Sequence, residues 1–237
     1  SGAILVNEWG ALLWERECGL AKASLWDTLA RQSLPLVHSS TMVRTEVLRG
    51  IGGYDPFFPV SCDYDLFVRL AGARARFGYL DTPLVWHRVH DSQLSCGRRH
   101  DQVIYSALAW ERDRARASGT DLDLAAALHW LSRDAGLQRR ARLRVAEYHA
   151  IRGLLYLGAG QRPEARRAFA AALAVQPWSL PAHAARGMAL LPQSLVSLCL
   201  RSAQALRRRV RWSAAGACAQ WFGPPDQRWS SGDALRG

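Results

Sequence analysis

The sequence predicts an α/β region followed by an all-helical region. Short apolar runs separated by turn residues occupy the chain up to about residue 90, which is the pattern of strands joined by tight turns. From His100 onward, apolar residues recur at spacings of three and four, which is typical of amphipathic helices. We therefore divide the chain into an α/β unit at 1–98, a helical unit at 99–222 and a loose, turn-rich tail at 223–237.

The first elements are a hairpin, a short helix and a strand. Apolar runs at 3–6 and 11–14 flank turn-forming residues at 7–10, which predicts a β-hairpin. Ser24 is a candidate N-cap for a short amphipathic helix. The apolar run at 36–43 predicts a buried strand.

The next elements alternate between helix and strand. Residues 46–49 predict a helical turn, and Gly52-Gly53 permits a turn with positive φ. A helix is predicted at 63–71, where the apolar residues share one face. Strands are predicted at 77–80 and 84–87, separated by turn residues.

Five further helices are predicted at 124–131, 142–157, 163–175, 180–191 and 194–210. Residues 146–179 resemble a tetratricopeptide repeat, which is about 34 residues long and brings two helices together through small side chains. The matching residues are Gly153, Tyr156, Ala165, Phe169, Ala172 and Pro177. Since one repeat cannot bury its own apolar face, this unit is expected to pack on neighbouring helices.

Residues 39–95 carry the most specific pattern. The quoted segments are Ser39-Ser40-Thr41-Met42-Val43-Arg44, Gly52-Gly53-Tyr54-Asp55, Cys62-Asp63-Tyr64-Asp65-Leu66, Arg69-Leu70-Ala71 and Arg88-Val89-His90. In this order and spacing, they resemble the C-terminal half of the catalytic domain of family 2 glycosyltransferases. That family has the GT-A fold, a nucleotide-diphospho-sugar transferase-like α/β fold, and the resemblance covers about residues 1–100.

The resemblance implies a role for each matching residue. Asp63 would be the general base that accepts the proton of a sugar hydroxyl. Arg88 would neutralise the departing diphosphate, and Ser40 and Asp65 would bind substrate. His90 would help to hold Mg²⁺ or Mn²⁺, whose main ligands are expected upstream of residue 1.

The implied function is inverting transfer of a sugar from a nucleotide-sugar donor to a lipid-linked or saccharide hydroxyl, in polysaccharide or glycoconjugate synthesis. Cys62 stands where the family has Glu, and the upstream nucleotide-binding half is absent from this sequence. The chain by itself is therefore expected to be inactive. The alternative function is a non-enzymatic helical-repeat interaction protein.

Each matching residue also has a simpler structural interpretation. Asp63 is a good helix N-cap, a role worth about 1 kcal/mol. Asp65 and Arg69 are four apart and would form an ordinary pair on a helix surface. His90 would be a loop histidine with satisfied hydrogen bonds.

Composition points to an anionic partner or to a GC-rich bacterial genome. The net charge is +11, and Lys22 is the only lysine. Nucleotide diphosphate and phospholipid fit this charge, whereas nucleic acid is not expected because no recognised binding module is present. The five cysteines form no C-x-x-C pair, which favours free thiols in the cytoplasm. The basic helix at 194–210 either contacts the inner face of the membrane peripherally or packs on the preceding hairpin.

Overall fold

A computed structural model describes residues 1–16, 29, 37–80 and 82–209 of the chain. A small mixed three-stranded sheet at the N-terminus is followed by a mainly helical region. The region that contains the strands therefore precedes the mainly helical region, as the sequence predicts.

The sheet has the order β2-β1-β3, with β1 at Gly2–Val6, β2 at Leu12–Arg16 and β3 at Pro83–Arg88. β1 pairs antiparallel with β2, which confirms the predicted hairpin, and parallel with β3, which confirms the strand predicted at 84–87. Asn7 fixes the hairpin turn because its Oδ1 accepts hydrogen bonds from the amides of Trp9 and Ala11, at 3.1 and 2.8 Å.

Two predicted strands are wrong. Within 36–43, the described residues contain a 3₁₀ turn at His38–Ser40. Ser40 closes this turn because its Oγ donates to the carbonyl of Val37 at 2.8 Å, so the backbone finds its partners locally. Residues 77–80 form no strand with the described part of the chain, and Phe77 and Tyr79 pack against a hydrophobic core. The helix predicted after Ser24 lies outside the described residues, apart from the buried Leu29.

The predicted helices are present, with altered limits. Within the described residues, α3 and α4 were not predicted, α6 begins well before residue 142, and α8 ends before residue 191. None of the described helices has the length and hydropathy needed to cross a bilayer. The helices are α1 Thr45–Gly50, α2 Cys62–Gly72, α3 Leu94–Gly97, α4 Arg99–Ala117, α5 Leu124–Leu131, α6 Ala135–Gly158, α7 Arg162–Val175, α8 Leu180–Met188 and α9 Gln193–Arg209.

Two hydrophobic cores hold these elements together. The first core joins α2, α4, α5 and the start of α6, with Phe67 and Leu108 fully buried. The second core joins one face of the sheet to the end of α6 and to α7, α8 and α9, with Phe169 and Val196 fully buried. Each core draws residues from both sides of residue 98, and the division into domains at that point stays a prediction.

The hairpin of α6 and α7 explains the spacing of small residues at 146–179. Gly153 faces the ring of Phe169 so closely that an added Cβ would lie 2.3 Å from the ring. Ala165 and Ala172 are fully buried in the same hairpin. As expected, the hairpin packs on other elements, since the second core also contains residues of α8, α9 and β2.

Gly153→Ala is expected to destabilise the protein, whereas Gly187→Ala is not. Phe169 is fully buried and has no room to move away from a new methyl group, so overpacking should cost about 1–3 kcal/mol. Gly187 lies in α8 with nothing within 4 Å of an added Cβ, and alanine there should gain up to about 1 kcal/mol of helix propensity. Urea unfolding midpoints measure both effects. A Phe169→Leu change should restore part of the loss in Gly153→Ala, and equal midpoints for the two glycine variants would contradict the close contact.

Candidate functional site

Asp63 is the second residue of α2, and the start of this helix is anchored to α4. Ser61 precedes the helix in the left-handed conformation, with φ 58°, which is uncommon for a residue other than glycine. Its buried Oγ donates to the carbonyl of Gln102 at 3.0 Å, which holds the turn in place. Asp63 is not the N-cap, as its simpler interpretation required, because Ser61 occupies that position. The Asp63 carboxylate accepts from the amide of Tyr64 at 2.8 Å and remains partly exposed.

The charge of Asp63 contributes to the pKa shifts of three polar groups. Gly52 and Gly53 both have positive φ, as expected. Tyr54 follows directly after this turn. Burial, followed by the charges of Cys62 and Asp63, raises the pKa of Tyr54. Burial and Asp63 likewise raise the pKa of Cys62. Burial lowers the pKa of Arg99, which Asp63 partly counteracts.

A second group of polar side chains surrounds Tyr148 of α6. We call it the Tyr148 cluster, and its members are Gln93, Ser95, Cys96, Arg99, Glu147 and Tyr148. The Tyr148 hydroxyl lies 3.1 Å from Ser95 Oγ and 3.8 Å from Cys96 Sγ, and it accepts a hydrogen bond from Gln93. The Arg99 guanidinium lies 5.4 Å from the centroid of the Tyr148 ring, within cation–π range. Arg99 therefore belongs both to this cluster and to the surroundings of Asp63.

Glu147 supplies the carboxyl of this cluster, and its pKa is strongly perturbed. Burial raises its pKa to about 7, although Arg144 and Arg99 act in the opposite direction. Its Oε2 has no hydrogen-bond partner, and the closest cation is the Arg144 Nη1 at 3.8 Å. Arg99 Nε is also buried without a partner. A carboxyl that titrates near neutral pH beside an incompletely paired guanidinium is typical of functional sites.

His90 is joined to the Tyr148 cluster through the loop that follows β3. Its ring Nδ1 lies 2.9 Å from Ser92 Oγ, and its carbonyl accepts from Cys96 Sγ at 3.5 Å. The next residue, Asp91, forms an ion pair with Arg152 of α6, whose side chain is only 4% exposed. This hydrogen-bonded pair lowers the pKa of Asp91. Asp91 and Arg152 therefore fix the loop onto α6.

Asp65 lies in the protein interior, away from Asp63. It is 0% exposed, and its two oxygens bind Arg69 of α2 and Arg112 of α4. Arg112 also binds Asp55, so four charged groups hold the loop before α2, α2 itself and α4 together. The pair of Asp65 and Arg69 exists as expected, but it is buried rather than on the helix surface. Two residues correspond to about 200° of helix rotation, which separates Asp65 from Asp63.

Ser40 and Arg88 lie at opposite ends of β1. Ser40 Oγ contacts the backbone of Ser1, which precedes the strand. Arg88 pairs with Val6 at the other end and donates to the carbonyls of the hairpin turn, including Glu8. A strand of this length separates the two residues by about 15 Å. The structure thus links Asp63 and His90 through one polar cluster, and it does not bring Ser40 and Asp65 to the same place.

The described residues do not form a metal site by themselves. No group of three or more His, Cys, Asp or Glu side chains with ligand geometry occurs among them. Asp91, the carboxylate next to His90, is already engaged by Arg152. A divalent cation beside His90 would therefore need its remaining ligands from elsewhere in the protein.

Arg99, Glu147 and Tyr148 were missed by the sequence analysis. They lie on helices far along the chain from Asp63, and the only signal was a run of polar residues within the otherwise amphipathic α6. The described cysteines, Cys62, Cys96 and Cys199, are free, as expected.

Asp65→Asn is expected to destabilise the protein far more than Asp63→Asn. Removing the buried charge leaves Arg69 and Arg112 with an uncompensated positive charge in the interior, which should cost about 3–5 kcal/mol. Asp63 is partly exposed, and asparagine can still accept from Tyr64, so less than about 1 kcal/mol should be lost. Denaturant unfolding at neutral pH measures both. Similar losses in the two variants would show that Asp65 lacks this structural role.

Glu147→Gln is expected to flatten the dependence of stability on pH. The pKa of Glu147 is raised to about 7 in the folded protein, so the folded state holds the proton more tightly than the unfolded state does. The contribution of Glu147 to stability is therefore fully present in acid, and it should fall by about 2 kcal/mol as the pH rises from about 5 to about 8. Unfolding free energies at these two pH values test this, with exposed Glu46→Gln as the control that keeps the slope. The same slope in Glu147→Gln would contradict the assignment.

The chain has no match among known proteins that would assign this arrangement to a family. Neither a family model, nor a curated protein, nor a solved structure matches it. The case for a function therefore rests on the residues and their geometry.

Proposed function

We propose that this chain is the C-terminal half of the catalytic domain of an inverting family 2 glycosyltransferase with the GT-A fold. The observation that carries the proposal is the position of Asp63, at the centre of the ordered residue pattern of 39–95. Asp63 lies partly exposed in the first turn of α2, and Arg99 lies within its electrostatic range. A carboxylate fixed in this way is suited to accept a proton from an incoming hydroxyl group.

The proposed reaction is a direct displacement. Asp63 removes the proton from an acceptor hydroxyl while the oxygen attacks the anomeric carbon of a nucleotide-sugar. The bond from that carbon to the diphosphate breaks, and the nucleoside diphosphate leaves with the electron pair. Arg88 and Arg99 are proposed to stabilise its developing negative charge. Asp65, by contrast, supports the site by holding α2 on α4.

The resemblance to family 2 glycosyltransferases implies a divalent cation, Mg²⁺ or Mn²⁺, which would neutralise the diphosphate. His90 is the ligand proposed from the described residues, and Ser40 remains proposed as a substrate contact. The acceptor would be a lipid-linked or saccharide hydroxyl, and the reaction is placed in the cytoplasm.

A non-enzymatic interaction protein is the second candidate, and the helical hairpin supports it. α6 and α7 approach closely at Gly153 and Phe169. α8 begins at Leu180, one repeat length of about 34 residues after residue 146. Stacked helical hairpins of this kind form peptide-binding surfaces. This function predicts a protein partner and no turnover of nucleotide-sugars.

Asp63→Asn in the natural full-length protein tests the enzymatic proposal. With a panel of nucleotide-sugars and Mg²⁺ or Mn²⁺, the wild type should release nucleoside diphosphate in the presence of acceptor. The variant should lose at least about a hundredfold in kcat, the usual scale for loss of a general base, with the KM for the donor unchanged. Asp101→Asn, which removes a half-exposed carboxylate in the first turn of α4, is the control and should retain turnover. Near-normal kcat in Asp63→Asn would remove Asp63 from the mechanism, and no turnover with any donor would favour the interaction protein.

A further inference from the structure

The region after Glu164 carries most of the net positive charge of the chain. Between Glu164 and Asp226 lie eight of the 31 basic residues and none of the 20 acidic residues. Four of these arginines, Arg201 and Arg207 to Arg209, fall within α9. The net charge of the whole chain is +11, so this acid-free segment supplies eight of those charges.

Large apolar side chains are exposed on the same segment. Trp178 is 89% exposed and Leu180 is 80% exposed, in the connection from α7 to α8. Leu190, between α8 and α9, is also highly exposed, and Leu195 and Leu198 are about half-exposed on α9. We call these five residues the terminal apolar surface. Several large apolar side chains exposed along one segment, rather than singly, are typical of an interaction site.

The packing of α9 determines which of its residues face solvent. Val196 is fully buried in the second core, so one side of the helix is already used for packing. Leu195 and Leu198 are three apart and therefore share another side of the helix. Packing on the preceding hairpin thus accounts for Val196 but leaves these two leucines uncovered by the described residues.

The exposed residues of α8 are also apolar or basic. Leu180, Ala184 and Gly187 are exposed at spacings of four and three, so they form one stripe along the helix. Basic Arg186 is also exposed. The outer side of α8 is therefore apolar or basic along its length.

We propose that the terminal apolar surface and the arginines of the acid-free segment bind the surface of an anionic lipid bilayer. Leucines and a tryptophan are suited to the boundary between headgroups and acyl chains, where tryptophan is enriched, and arginines attract anionic headgroups. A segment without acidic residues has no charge that would be repelled by such a surface. Exposed leucines favour lipid over nucleic acid, whose bases stack on aromatic side chains. This surface lies outside the glycosyl-transfer site and does not depend on that proposed function.

Vesicle co-sedimentation of the full chain tests the proposal. The protein should pellet with vesicles of phosphatidylcholine and phosphatidylglycerol, and stay in the supernatant with pure phosphatidylcholine. Binding should weaken as salt rises, because screening reduces attraction between the arginines and headgroups. Arg207→Gln, Arg208→Gln and Arg209→Gln together should weaken binding about a hundredfold, since each arginine near the surface contributes about a factor of five.

Two matched variants distinguish binding through this surface from binding that depends on net charge alone. Arg133, Arg139 and Arg142 are exposed outside the segment, and their combined change to Gln removes the same charge but should leave binding within a few-fold of wild type. Leu195→Ser with Leu198→Ser should also weaken binding clearly at constant charge. Circular dichroism and unfolding midpoints confirm that each variant is folded.

Several outcomes would overturn the proposal. One is equal recovery in the supernatant with and without anionic lipid, and another is unchanged binding in the leucine variant. Tighter binding to duplex DNA or RNA than to vesicles at the same salt would assign the segment to nucleic acid instead. Asp63→Asn should bind vesicles as the wild type does, so a failure of this proposal is distinct from a failure of the proposed catalysis.

Discussion

The packing of α6 against both hydrophobic cores is the constraint on which the rest of the structure depends. This helix has 24 residues and is about 36 Å long. Leu137 and Ala141 near its start are buried in the first core, and Tyr156 and Leu157 near its end are buried in the second. The two cores therefore have a fixed relation because they share one rigid element.

The polar residues of α6 lie between these two apolar ends. Glu147, Tyr148 and Arg152 occupy the part of the helix that belongs to neither core. There they are largely removed from water, but Glu147 and Arg152 each retain a buried atom without a partner. Buried polar groups with unused hydrogen-bonding capacity destabilise a fold, and such local costs persist mainly where function requires them. The left-handed backbone of Ser61, just before Asp63, is a second conformation that costs stability locally.

The sequence predicts elements well where one periodicity dominates. α5 and α7 follow from their helical spacing, and the hairpin follows from two apolar runs around Asn7. α4 was missed because its first turn has no side-chain cap and its apolar residues alternate with many charged ones. The strand at 36–43 was wrong because Ser40 closes a turn with its own side chain, an outcome that apolar composition does not reveal. The aromatic residues Phe77 and Tyr79 alternate as they would in a strand, but they pack against the first core.

The acidic string Asp63-Tyr64-Asp65 shows why the site was only partly predictable. The sequence shows two aspartates two residues apart, and nothing in it indicates which carboxylate faces solvent. About 200° of helix rotation separates them, so one carboxylate meets Arg112 in the core and the other remains accessible beside the start of α4. Which carboxylate is buried depends on residues far along the chain. Arg112 and Gln102 both lie on α4, and their contacts fix the rotation of α2 about its axis. The buried half of this short motif therefore orients its exposed half.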